Sequence, residues 1–167
     1  MVLSNCRRYI LKTNIVILST ADKYIKKFAT QLAIILDMYF IDVQELLDYD
    51  FSCVIDKLNE AGEEYLKNVI NKKINAVSNY ENSVIILPTQ SIFDNDNISL
   101  FKKNSLILNI EFKESAIKKI IHIADDERKK MYTSVADITI NCTQTNVKQA
   151  VNNAIEQINF FRQNNKI

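Results

Sequence analysis

Lys23, Lys26 and Lys27 crowd the first turn of a helical pattern that follows directly on the apolar run NIVIL, residues 14–18. Ammonium groups beside the unpaired N–H groups of a helix start could bind an anion such as phosphate. The same three lysines also read as a solvated basic face, the plainer of the two readings. Asp125-Asp126-Glu127 groups three carboxylates, but acidic residues at a helix start need no metal to explain them. His122, the sole histidine, has no neighbour in sequence that would make it a base, a nucleophile's partner or a ligand, so no metal site is expected. Cys6, Cys53 and Cys142 form no C-x-x-C pair, which fits reduced intracellular thiols.

The 167 residues suit one domain with a real core. A formal net charge of +1 leaves no electrostatic footprint for nucleic acid or an anionic membrane, and neither partner is expected. No apolar run approaches the ~20 residues of a membrane span. Leu3-Ser4-Asn5-Cys6 has the look of a lipoprotein cleavage box but lacks the apolar stretch that must precede one. A cytoplasmic protein is the expectation. Gly and Pro occur once each, so a loop that needs positive φ or close backbone approach could centre only on Gly62.

Elements that would position such residues follow from the pattern. Strands are expected at 14–18 (NIVIL), 39–42, 83–87 (SVIIL, ended by Pro88), 105–110 (SLILNI) and 137–141 (DITIN). Ile25, Phe28, Ala29, Leu32, Ala33 and Leu36 recur at helical spacing over 23–36. Further helices are expected at 43–48, 53–60, 63–77, 115–121, 125–134 and 147–162, with a helical turn at 100–103 and Gly62 as a break. Buried strands alternating with helices argue for an α/β domain, a five-stranded parallel sheet with helices on both faces. Residues 1–13 are expected as an N-terminal extension, 14–162 as the domain and 163–167 as a polar tail. Ligands in such sheets sit at the carboxyl ends of strands, which directs attention to the residues after Leu18, Phe40, Leu87 and Ile110.

Those strand ends, in order, resemble the shikimate kinases, a branch of the nucleoside-monophosphate-kinase-like P-loop fold, over roughly residues 14–158. The family's first loop, G-x-x-G-x-G-K-S/T-T-V-G-R-x-L-A, aligns without gaps from Ser19 and ends on Gln31-Leu32-Ala33. Its F-x-D-x-D falls on Phe40-Ile41-Asp42-Val43-Gln44, and its G-E-x-x-F-R-x-x-E on the nine residues from Gly62-Glu63 to Ile70. Its Gly-Gly-Gly falls on Pro88-Thr89-Gln90. Its R-x-x-L-Y followed by V-A-D is matched by Arg128-Lys129-Lys130-Met131-Tyr132 and Val135-Ala136-Asp137.

The resemblance implies a fold that binds Mg-ATP and phosphorylates a small acidic metabolite, and the departures bear on that activity. A P-loop works because glycines let the backbone wrap a phosphate, a lysine reaches the β/γ-phosphates and a hydroxyl ligates Mg²⁺. Here the glycine positions hold Ser19, Asp22 and Tyr24, the lysine position Ile25 and the hydroxyl position Lys26. A carboxylate at Asp22 ~4 Å from a phosphate would oppose it by ~4 kcal/mol at an effective dielectric of ~20. On the substrate side, Asp42 remains, but Gln44 replaces the second aspartate and Lys67 the arginine after Gly-Glu. Asp42 and Arg128 are then remnants of Mg²⁺ and carboxylate binding, although Arg128 could simply pair with Asp125 one turn earlier. Residues 117–127 are too few for the family's arginine-bearing lid, which completes phosphoryl-transfer sites.

The expectation is a shikimate-kinase-like pseudokinase with a degenerate Walker A loop and no cofactor, acting as a non-catalytic binding or regulatory protein. Its partner would be another protein, a second copy of itself or a small acidic metabolite. Two alternatives stay open. One is a divergent active small-molecule kinase that uses Mg-ATP, its phosphate site rebuilt from the lysines after Tyr24. The other is a small-molecule sensor that keeps part of the shikimate pocket. Ile25 should pack inward, the phosphate end should be filled by Tyr24, Ile25, Pro88 and the Ile92-Phe93 pair, and a shallow groove should remain near Gln44, Lys67 and Arg128.

Overall fold

Four consecutive apolar side chains, Ile15 to Leu18, within Asn14–Leu18 (β1) call for cover on both faces, and β1 lies in the middle of the sheet, buried throughout. The computed structural model describes residues 13–19, 22–52, 55–88, 95–112, 123–142 and 146–165. The remaining strands are Tyr39–Asp42 (β2), Ser83–Ile86 (β3), Ser105–Phe112 (β4) and Ile138–Cys142 (β5). All pairings are parallel, in the order β2-β3-β1-β4-β5. The helices are Asp22–Leu36 (α1), Val43–Ser52 (α2), Ile55–Ser78 (α3), Asn95–Lys102 (α4), Ile123–Val135 (α5) and Val147–Asn165 (α6).

Side chains alternate across a strand, and the alternation builds two cores. Ile15, Ile17, Val84, Leu106, Leu108, Ile110 and Ile140 face α1 and α6, meeting Phe28, Leu32, Val151 and Ile158. Val16, Leu18, Ile85 and Ile107 face the other way and meet Val43 and Leu47 of α2, Ile74 of α3, Phe101 of α4 and Tyr132 of α5.

The chain moves from β1 to β2 over the first face and from β2 through β3 and β4 to β5 over the second. Reversal of direction coincides with a change of face, so every crossover has the same hand. The connection leaving β1 therefore runs to one face while those leaving its neighbours β3 and β4 run to the other. In open sheets of this kind the ligand crevice falls where such connections part, which here is the carboxyl end of β1.

A chain with one glycine must make its positive-φ turns with other residues. Asp37 (φ 53) ends α1, with Met38 N–H donating to Ala33 O at 2.9 Å and Asp37 N–H to Ile34 O at 3.4 Å. This is the paired-bond ending usually built on glycine. Asn82 (φ 53) makes the turn before β3, and its amide donates to Asp37 O at 3.1 Å, tying the two turns together. Gly62 itself has φ 74, ψ 179 within α3, a region open essentially to glycine alone. It breaks the helix where the sequence places the break. A Cβ there would meet nothing within 4 Å, so Gly62→Ala is expected to cost about 1–3 kcal/mol through backbone strain alone. Urea titration measures this; an unchanged midpoint would show the helix can run straight.

Three differences from the sequence reading stand out. α4 begins at Asn95 rather than as a turn at 100. β4 continues to Phe112 beside Cys142 of β5. α6 runs past Arg162 to Asn165, with Asn164 and Asn165 amides donating to Phe160 O and Phe161 O at 3.0 and 2.9 Å. Three residues of the expected polar tail are thus helical. The expected helix at 115–121, the expected extension up to residue 12, His122, Cys6 and Cys53 lie outside the described residues.

Candidate functional site

At the carboxyl end of β1, Ser19 leaves the strand and its hydroxyl donates to the Ile110 carbonyl of β4 at 2.8 Å. That bond spans adjacent strands, since Leu18 pairs with Asn109. α1 then starts at Asp22, whose side chain is not among those described. Tyr24 is half-buried against the first core. Ile25 is 7% exposed and belongs to that core, continuing the stripe of Phe28, Ala29 and Leu32 as helical spacing requires. Pro88, after β3, is buried; Thr89, Gln90, Ile92 and Phe93 lie outside the described residues.

Lys26, one position on and about 100° round the helix, faces outward and forms an ion pair with Glu45 in the first turn of α2. The hydrogen bond to Glu45 raises the pKa of the ammonium. Desolvation opposes this, while the charges of Glu45 and Asp42 add to it. Lys26 thus places a positive charge among carboxylates at the mouth of the crevice. Lys27 is exposed.

Asp42, at the end of β2, has a structural task. Its Oδ1 accepts from Gln44 N–H at 3.1 Å and Glu45 N–H at 3.3 Å, capping the start of α2. The pattern Asp42-x-x-Glu45 carries that signal in the sequence. Gln44 is exposed and its amide donates to Asp48 at 2.7 Å along the same helix. Lys67 is exposed on α3, and Arg128 is half-buried on α5. The structure therefore gathers Lys26, Asp42 and Glu45 at the crevice and sets Lys67 and Arg128 on two further helices.

A groove of about 590 Å³ does lie on α5, but its described lining is Lys129, Lys130, Thr133 and Ser134. None of the residues expected to border a shallow groove, Gln44, Lys67 and Arg128, is among these four. Under this groove sits a polar group that sequence reasoning missed. Asn109 of β4 is 1% exposed, and its amide donates to Glu111 at 3.3 Å and Thr133 at 3.4 Å. Glu111 also holds Lys129 at 3.3 Å. The only signal was the polar Asn109 and Glu111 interrupting an otherwise apolar strand. Among the described residues, no three His, Cys, Asp or Glu side chains gather as a metal-binding group.

A five-stranded parallel sheet in this order, with its crevice at the end of β1, defines a P-loop-kinase type of fold. Solved structures share it. Shikimate kinase from Aquifex aeolicus superposes with a TM-score of 0.71 at 17% identity, covering 87% of this chain and 96% of that one. Shikimate kinase from Acinetobacter baumannii, solved in complex with shikimate, gives 0.68 at 13% identity over 90% and 94%. The YorR protein of Bacillus subtilis, in complex with phosphorylated GDP, gives 0.53 at 13% identity over 90% and 98%. At these identities the likeness is one of fold. No family model and no curated protein sequence matches the chain. No described helix is long and apolar enough to cross a membrane.

Proposed function

We propose that this chain is a shikimate-kinase-like protein that neither binds nucleotide nor transfers phosphate, and that it acts by binding, as a regulatory or adaptor protein. The observation that carries this reading is Ile25. It stands where the resemblance puts the phosphate-binding lysine, and it is buried in the core under α1.

Two neighbours support the same reading. The Ser19 hydroxyl occupies itself with the Ile110 carbonyl, at the position of the loop's first glycine. Lys26, at the position of the Mg²⁺-ligating hydroxyl, brings an ammonium that Glu45 already neutralises. A lysine side chain has no oxygen to offer a divalent cation, so Lys26 does not supply the hydroxyl ligand that a Mg²⁺-nucleotide needs there. The lid argument rests on residues that include 117–122, outside those described, and stays a sequence argument.

The test is turnover. Incubated with Mg-ATP and shikimate, the protein should release ADP no faster than buffer alone. Release that depends on both protein and shikimate would overturn the reading in favour of a divergent kinase using the lysines after Tyr24. Saturable shikimate binding without turnover would move the proposal to a small-molecule sensor.

A further inference from the structure

β2 is an edge of the sheet. Tyr39 N–H donates to Asn82 O at 2.9 Å, so Tyr39 turns its backbone toward β3. Successive residues of a strand turn their backbone groups to opposite sides, so Phe40 aims its N–H and C=O away from β3. Among the described residues no strand pairs with that side. Natural sheets blunt such edges with charges or proline, and Tyr39-Phe40-Ile41 has neither.

The side chains around this edge are apolar. Tyr39 is 72% exposed, while Phe40 and Ile41 rest partly on the two cores. On α2, Leu46 and Tyr49 are also exposed and share one side of the helix with Glu45. Glu45 reaches Lys26 of α1 on the opposite face of the sheet, and helices on opposite faces meet only around a sheet's border. That side of α2 therefore lies next to β2. The other edge, β5, carries no large exposed apolar side chain and alternates with Thr139 and Asn141.

A second copy of this chain fits the edge, because β2 complements itself when turned end for end. With a two-fold axis through Phe40, the N–H and C=O of Phe40 exchange bonds with those of the second copy's Phe40, as in an antiparallel ladder. Tyr39 then stands opposite Ile41 of the second copy on the same face, an aromatic–β-branched pair that favours the ladder. The two Asp42 carboxylates fall at opposite ends of the joined strands, so they do not repel. α1 packs over β2 and β3 and comes to run antiparallel to its mate. Exposed Lys27 in the first half of each helix is then turned toward the end of the other, where exposed Asp37 stands. We propose that two copies of this chain join through their β2 edges, antiparallel about Phe40, into one continuous sheet. The dimer would give the proposed binding role a surface without resting on it, since the edge is open whether or not nucleotide enters at β1.

Sedimentation velocity over a concentration series reads the mass, and amide hydrogen exchange reads the edge. The 19.3 kDa chain should double in mass as concentration rises, and the Phe40 amide should exchange about tenfold or more slowly in the dimer. Tyr39→Lys charges an exposed residue and sets the charge opposite Ile41 of the second copy. It should weaken association about tenfold or more. Phe160→Lys, on an equally exposed residue of α6, should leave association unchanged. A single-chain mass up to millimolar concentration would overturn the proposal. So would a dimer whose Phe40 amide exchanges as fast as in the monomer, which another surface must then hold together. A Phe40 amide that is slow at every concentration would also overturn it, because the chain's own residues would then cover the edge. Unchanged association in Tyr39→Lys, or equal weakening by both substitutions, would do the same.

Discussion

Ile25→Lys is expected to lower stability by about 1–3 kcal/mol and to leave phosphate transfer at the uncatalysed rate. The substitution restores the residue that the resemblance calls for, so simple logic would have it restore function. The structure argues otherwise. Ile25 is 7% exposed and packs in the cluster that includes Phe28, Ala29, Leu32 and the sheet residues Ile15 and Ile17. A lysine there must either bury its ammonium or thread its stem outward past Tyr24 and Lys26, and the second route limits the loss. With Lys26 still paired to Glu45, a second ammonium would have no phosphate cradle to serve. Denaturant melts with an unchanged m-value report the stability term. Unchanged stability together with ADP release would contradict the account.

Asn14→Leu is expected to cost about 2–4 kcal/mol, a large effect from a position far from the crevice. Asn14 is fully buried at the start of β1. Its amide donates to Tyr80 O at 2.5 Å and its Oδ1 accepts from Ser83 N–H at 3.0 Å. One side chain thus fastens the central strand to the turn before β3. Leucine fills similar space but strands a buried N–H and a partly buried carbonyl, and orphaned groups carry the full desolvation penalty. Chemical denaturation should show a lower midpoint with the Mg-ATP and shikimate assays unchanged. A midpoint within error of wild type would mean that water reaches both groups.

The fold was legible in the sequence because its signals are local. NIVIL, SVIIL and SLILNI are continuous apolar runs, and the α1 stripe from Ile25 to Leu36 has a single period. α4 was legible only in its last turn because its inward apolar residues, Ile98, Leu100 and Phe101, start only halfway along it and its other buried residue, Asn97, is polar. The site was legible as a set of positions and not as an arrangement. The burial of Ile25 follows from its place in the stripe. The Ser19–Ile110 bond joins residues 91 apart, and Lys26 meets Glu45 across 19 residues and two helices. No pattern in one sequence reports such pairs. Asp42 shows the opposite difficulty: F-x-D makes it a ligand remnant by resemblance, D-x-x-E makes it a helix cap, and the structure uses it as the cap.

Calorimetric titration with Mg-ATP tests the central claim most directly, because loss of nucleotide binding precedes every other part of the proposed function. A ligand that binds only the native state must also stabilise it, so the same samples should be melted. The account predicts no heat beyond dilution and no rise in Tm at millimolar Mg-ATP. A saturable heat accompanied by a Tm rise of several degrees would contradict it, and would mean that the turn from Ser19 to Lys26 still receives a phosphate.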